Sequence, residues 1–143
     1  MAFIDFTLDQ ISALCKNTLD EHFGIEYTEI GTDYLCGKMP VTNRTVQPAR
    51  LLHGGASVAF AESLGSLTAI MNLPNPKTHT AVGIEINANH LRGVKEGNWI
   101  YGKCSPLHVG RTSIVCEIKL TNEEGKLVCV SRITLAVIPI LNS

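Results

Sequence analysis

A chain of 143 residues with 45% hydrophobic and 17% charged side chains can bury a substantial core, which excludes an intrinsically disordered protein. Its formal net charge is -1 and its twelve Lys and Arg residues are scattered, so nothing points to a nucleic-acid partner. Five cysteines form no CxxC pair, which argues against a zinc or disulfide framework and for reduced thiols in the cytoplasm.

The opening stretch "MAFIDFTLDQ" has early acids and no basic region ahead of an apolar run, so no signal peptide is expected. Thr7 followed by "LDQISALCKNTL" predicts a short N-terminal amphipathic helix capped by Thr7, with Leu8, Ile11, Leu14 and Cys15 on one face. "GIEYTEI" and "YLCGKMPV", separated by "GTD", read as two strands joined by a tight turn. "TNRTVQPAR" is polar and carries Pro48, and so forms a loop.

"LLHGGASVAFAESLGSLTAI" follows, with Glu62 as the one formal charge between Arg50 and Lys77. A carboxylate at its centre costs about 2.5 to 3.5 kcal/mol in a bilayer, so a buried helix is expected in place of a membrane span. The helix should run from about Gly54 to Asn72, roughly 28 Å at 1.5 Å per residue, and end at "LPNPK". Phe60, Leu64, Leu67 and Met71 share one bulky face; Gly55, Ala59, Glu62, Ser66 and Ala69 share a small-residue face opposite.

After Thr78 the chain alternates with period two. Val82, Ile84, Ile86 and Ala88 oppose Gly83, Glu85, Asn87 and Asn89, and three more strands follow with "KEG" and "NEEG" at turns. The simplest α+β solution is a six-stranded antiparallel sheet curled around the helix on its bulky side. The small-residue side then needs a second subunit, so a dimer at least is expected.

"QPARLLHGGASVAFAESLGS", "VGIEINANHLR", "PLHVGR" and "SRITLAVI" closely resemble, in order and spacing, the hotdog-fold acyl-CoA thioesterases of the PaaI-like family. Within the family the sequence resembles the branch of bacterial 1,4-dihydroxy-2-naphthoyl-CoA thioesterases. The resemblance runs from about Gly24 to Ile138 and implies one hotdog domain over 1–143, with a homotetramer as the assembly. It also implies an acyl-CoA substrate, no cofactor, and no nucleic-acid or membrane partner.

Thioester hydrolysis needs an activated water or a carboxylate nucleophile, and donors for the oxygen that becomes negative. The resemblance assigns the carboxylate to Glu62, nine residues after His53. A carboxylate in an apolar surround is costly unless paired, and Ser66, one turn on, is placed to hydrogen-bond it. Gly54 and Gly55 open the helix, where backbone N–H groups lack partners and glycine admits close approach. In the family the N–H at Gly54 polarises the carbonyl, the side chain at Gln47 reaches the active site of the other subunit, and His53 orients these groups.

Arg50 departs from the family pattern and puts a cation near the entrance. The coenzyme A phosphates need cations and exposed N–H groups. The segments matching the family's CoA contacts are His90, Leu91, Arg92 and Gly93, and then His108, Val109, Gly110, Arg111, Thr112 and Ser113. The resemblance also implies that Gly83 contacts the pantetheine region. His53, His90 and His108, without HExxH spacing, give no metal site, and no GxSxG elbow is present. Rival readings are a medium-chain acyl-CoA or aryl-carrier-protein proofreading thioesterase, a hotdog enoyl-thioester dehydratase that pairs His53 with an acid, and a non-catalytic acyl-CoA-binding protein.

Overall fold

The computed structural model describes residues 5–141. Residues 1–4, part of the stretch in which no signal peptide is expected, and residues 142–143 of the expected 1–143 domain lie outside them. Thr7 caps α1 (Leu8–Leu14) reciprocally: its hydroxyl accepts the Gln10 N–H at 3.2 Å, and the Gln10 side chain accepts the Thr7 N–H at 2.9 Å. Of the predicted face, Ile11 is fully buried, but Leu14 is 60% exposed because the helix ends there.

A second short helix, α2 (Leu19–Phe23), was not expected from "NTLDEHFG". It carries Asp20 and Glu21 in its first turn and His22 in its last, and it stops at Gly24 in the left-handed conformation. These end signals were present in the sequence, but five residues hold too little periodicity to reveal a helix.

β1 (Glu26–Ile30) and β2 (Leu35–Pro40) form the expected hairpin. They precede α3 (Gly54–Met71), β3 (His79–His90), β4 (Trp99–Val109), β5 (Ser113–Thr121) and β6 (Leu127–Pro139). The six strands make one antiparallel sheet in the order β1-β2-β4-β5-β6-β3. Beta-3 therefore returns past the end of the β4-β5-β6 meander to form one edge of the sheet.

The sheet wraps α3 closely because small residues line the contact. A Cβ at Gly65 would lie 2.6 Å from Ile133 Cγ2, and one at Gly102 would lie 2.5 Å from Leu64 Cδ1. Phe60, Leu64 and Met71 are fully buried, each contributing about 1.5–3 kcal/mol. The buried side of α3 is not uniformly bulky: Ala61, Gly65, Thr68 and Ala69 are buried with them, whereas Leu67 is only half-buried. Ala69, expected beside Glu62 on the open face, is thus enclosed, because α3 packs against β2, β3, β4, β5 and β6. Gly55, Ala59, Glu62 and Ser66 remain along the open strip.

Beta-3 does not keep one face inward. Its register with β6 shifts between Gly83 and Glu85, the signature of a β-bulge, which changes the inward parity. Ala81 is buried before it, Ile86 and Ala88 pack on the core after it, and Val82 and Ile84 stand 41% and 64% exposed. The apparent run Val82, Ile84, Ile86, Ala88 is therefore split between two faces.

Candidate active site

Four features converge at the amino end of α3. His53 is the N-cap: its carbonyl accepts the Ala56 N–H at 3.0 Å and the Ser57 N–H at 3.2 Å. Its own N–H donates to the Thr45 carbonyl at 2.8 Å, which fixes the cap to the preceding loop. The imidazole Nδ1 accepts the Gly55 N–H at 2.7 Å, so the ring proton sits on Nε2. The Gly54 N–H has no acceptor among the described residues. One donor of the helix terminus is thus left for a ligand, with the helix dipole behind it.

His90, at the end of β3, packs onto this terminus. A Cβ at Gly54 would lie 2.9 Å from its Nε2. A side chain at 54 would have to push this imidazole aside. Sequence reasoning placed His90 among phosphate contacts, and its proximity to Gly54 had no signal in the sequence.

Gln47 lies in a loop held by an N–H to the Leu51 carbonyl at 2.8 Å. Its side-chain carbonyl accepts the Ala49 N–H, leaving the amide nitrogen as the outward donor. Arg50 adopts φ 65° and forms a two-pronged pair with Glu96 at 2.9 and 2.7 Å. The cation expected near the entrance is therefore already partnered.

Glu62 sits eight residues beyond Gly54 on the same helix, about 12 Å along the axis. It is half-buried, with its carboxylate against Gly83 of β3: a Cβ there would lie 2.7 Å from Oε1. No ion pair or hydrogen bond to Glu62 occurs among the described residues. Ser66, expected to hold it, is half-buried one turn away and makes no hydrogen bond to it. Gly83 thus meets the carboxylate.

The two segments expected at coenzyme A are separated in one protomer. Leu91, Arg92 and Gly93 follow β3 at the amino end of α3, where a Cβ at Gly93 would touch Leu51 at 3.4 Å. His108 and Val109 end β4, and Gly110, Arg111 and Thr112 turn into β5 at Ser113. Val109, Gly110, Arg111 and Thr112 line a cavity of about 510 Å³ with His79 and Val137, beyond the carboxyl end of α3. A second cavity of about 520 Å³ lies between α1 and β1, and neither is lined by Glu62. Among the described residues no group of three or more His, Cys, Asp or Glu side chains gathers as metal ligands.

A buried carboxylate cluster escaped the sequence reading. Asp20 accepts the Ser63 hydroxyl at 2.6 Å, the Tyr27 hydroxyl at 2.7 Å and the Cys15 thiol at 3.4 Å. Ser63 follows Glu62 directly, so α2 is tied to the turn of α3 that carries Glu62. Burial, and then the Asp20 hydrogen bond, pushes the Cys15 thiol up to about 11 and the Tyr27 phenol well above its ordinary range.

With this geometry in hand, the family follows. Residues 50–129, from the loop before α3 into β6, match the Thioesterase superfamily, and the chain belongs to it. The proofreading thioesterase EntH of Cronobacter turicensis is 47% identical over 92% of this chain and 93% of its own. The crystal structure of a Haemophilus influenzae thioesterase superposes with a TM-score of 0.93 at 44% identity, covering 99% of this chain and 98% of that one. A mutant thioesterase from Pseudomonas aeruginosa gives the same TM-score at 38% identity, covering 98% and 100%. The hotdog fold expected from the sequence is the fold found. Among the described residues no helix is long and apolar enough to cross a membrane.

Proposed function

We propose that the protein is a cytoplasmic acyl-CoA thioesterase acting on an aromatic acyl group such as 1,4-dihydroxy-2-naphthoyl, releasing the free acid and CoA. One observation carries the proposal: Glu62 is a half-buried carboxylate with no internal partner, on the helix whose first N–H is also unpartnered. Burial without a partner is costly and is retained where chemistry requires it.

The Gly54 N–H receives the thioester carbonyl, with Gln47 and His53 shaping its surroundings. Glu62 takes a proton from water as the water oxygen attacks the carbonyl carbon, or attacks that carbon itself. Negative charge collects on the carbonyl oxygen and is met by the donor at the helix terminus. Collapse then breaks the carbon–sulfur bond. In the first route the proton held by Glu62 passes to the departing sulfur. In the second, water hydrolyses the anhydride formed on Glu62, freeing the acid and supplying the proton for the thiolate.

Gly54 and Glu62 cannot serve one carbonyl within one protomer, being about 12 Å apart along a rigid helix. A two-fold pairing through the free edge of β3 sets two α3 helices antiparallel, bringing Gly54 of one copy toward Glu62 of the other. The same operation brings the Arg111 end of one copy to the Arg92 end of its partner, so both cationic segments can grip one CoA. The exposed Val82 and Ile84 lie on this strand. The homotetramer is two such dimers.

A second reading is favoured by the 47% identity to a proofreading thioesterase: an aryl thioester on a carrier protein. Both are tested by purified wild-type and Glu62→Gln proteins on aromatic and medium-chain acyl-CoA, an enoyl-CoA and an aryl-carrier-protein thioester, with free thiol as the readout. Thiol release from aryl substrates, lost in Glu62→Gln, is the expected result. Wild-type rates from Glu62→Gln overturn the mechanism. Hydration of the enoyl-CoA without thiol release identifies a dehydratase.

A further inference from the structure

We propose that Gly83 is a positioning residue for Glu62: the empty space at its Cα is the seat of the carboxylate. The inference rests on the reading of Glu62 as the acting group. Glycine is usually kept in a strand for backbone freedom or for close approach. Freedom is not the reason here, since Gly24, Gly97 and Gly125 are the glycines with positive φ and Gly83 is not among them. Any residue could adopt its backbone.

Close approach is the reason. A Cβ at Gly83 would lie 2.7 Å from Glu62 Oε1 and 3.8 Å from Glu62 Cδ. The nearest atom outside Glu62 is Ile133 Cδ1 at 3.8 Å, an ordinary contact. The core would therefore accept a methyl group, and only the carboxylate would have to move. That oxygen is the tip of a flexible side chain, so the fold yields cheaply by turning the acid away from β3.

The bulge completes the device. By changing inward parity after Gly83 it leaves Gly83 facing Glu62 while Ile86 and Ala88 still pack on the core. Bulges commonly re-aim side chains beside active sites. With no hydrogen bond to fix it, the carboxylate is held by shape, between its own helix and a strand without a side chain.

The test is steady-state hydrolysis of benzoyl-CoA by wild type, Gly83→Ala, Glu62→Asp and the double variant, with melting curves for each. Gly83→Ala should lower kcat about tenfold to a hundredfold, leave KM within about threefold and leave Tm nearly unchanged. In the Glu62→Asp background, where the acid is withdrawn by one methylene, the same change should cost less than about threefold. A crystal structure of Gly83→Ala should show the carboxylate turned from β3 with the backbone in place.

An unchanged kcat, an equal loss in both backgrounds, or a displaced strand under an unmoved carboxylate overturns the assignment. If Glu62→Asp is too slow to assay, the kcat and structure of Gly83→Ala decide alone. Wild-type activity in Glu62→Gln instead removes the functional reading on which the inference stands.

Discussion

The His53 imidazole accepts the Gly55 N–H at 2.7 Å, so the helix terminus is capped one residue past its unpartnered donor at Gly54. The cap sets the direction of the free N–H by fixing the peptide that follows it. His53→Ala should cost about 1 kcal/mol of stability, the usual worth of an N-cap. His53→Asn, with an oxygen acceptor of similar reach, should recover most of that. The loss of kcat in His53→Ala should be about tenfold or more, because misaimed donors are costly. Urea denaturation and thiol-release kinetics on the two variants separate the cap from the chemistry.

How far these features were visible in advance depends on their range. The ends of α3 were legible because "HGG" and "LPNPK" are local signals, and the helix runs from Gly54 to a C-cap at Asn72 as expected. Glu62 stood out because nothing near it in sequence is charged. The faces of β3 were misread because the bulge after Gly83 leaves the hydrophobic alternation intact in sequence while reversing it in space. Gly83 against Glu62 and His90 against Gly54 pair residues 21 and 36 positions apart, which periodicity cannot see. Nothing in the sequence singles out Asp20, because its donors come from the C-cap of α1, from β1 and from α3.

That buried acid should matter to stability. Asp20→Ala leaves the Ser63 and Tyr27 hydroxyls without their acceptor in a nearly dry site, where Asp20 is 8% exposed. The expected cost is about 2–4 kcal/mol, with Asp20→Asn milder because an amide oxygen still accepts. Chemical denaturation gives both numbers. A loss below about 0.5 kcal/mol for Asp20→Ala would show the cluster to be idle.

The same cluster makes stability fall in alkali. The Cys15 thiol is raised from 9.0 to about 11, first by burial and then by Asp20; Tyr27 is raised above its ordinary 10.0 by the same causes in the same order. Between pH 9 and 11 the unfolded chain gives up protons that the folded chain retains, so rising pH favours unfolding. The contribution is complete below pH 9 and declines above it. Tyr27→Phe should flatten the decline from pH 10 upward, and Cys15→Ala should flatten its start near pH 9. Urea midpoints at pH 7, 9, 10 and 11 for wild type and both variants check the order.

Under the two-fold pairing proposed above, each site takes its acid, Glu62, from one copy and its donors, Gly54 and Gln47, from the other. Glu62→Gln and Gln47→Ala proteins, each impaired alone, should complement when unfolded together and refolded as a mixture. In a hybrid dimer one site carries both defects and the other neither. Random pairing makes half of the dimers hybrid, so activity should return to about a quarter of wild type. Hybrids isolated with two different affinity tags should show about half of wild-type activity per dimer. If the mixture is no more active than the average of its two components, both halves of the site belong to the same chain, and the two-fold arrangement across β3 is wrong.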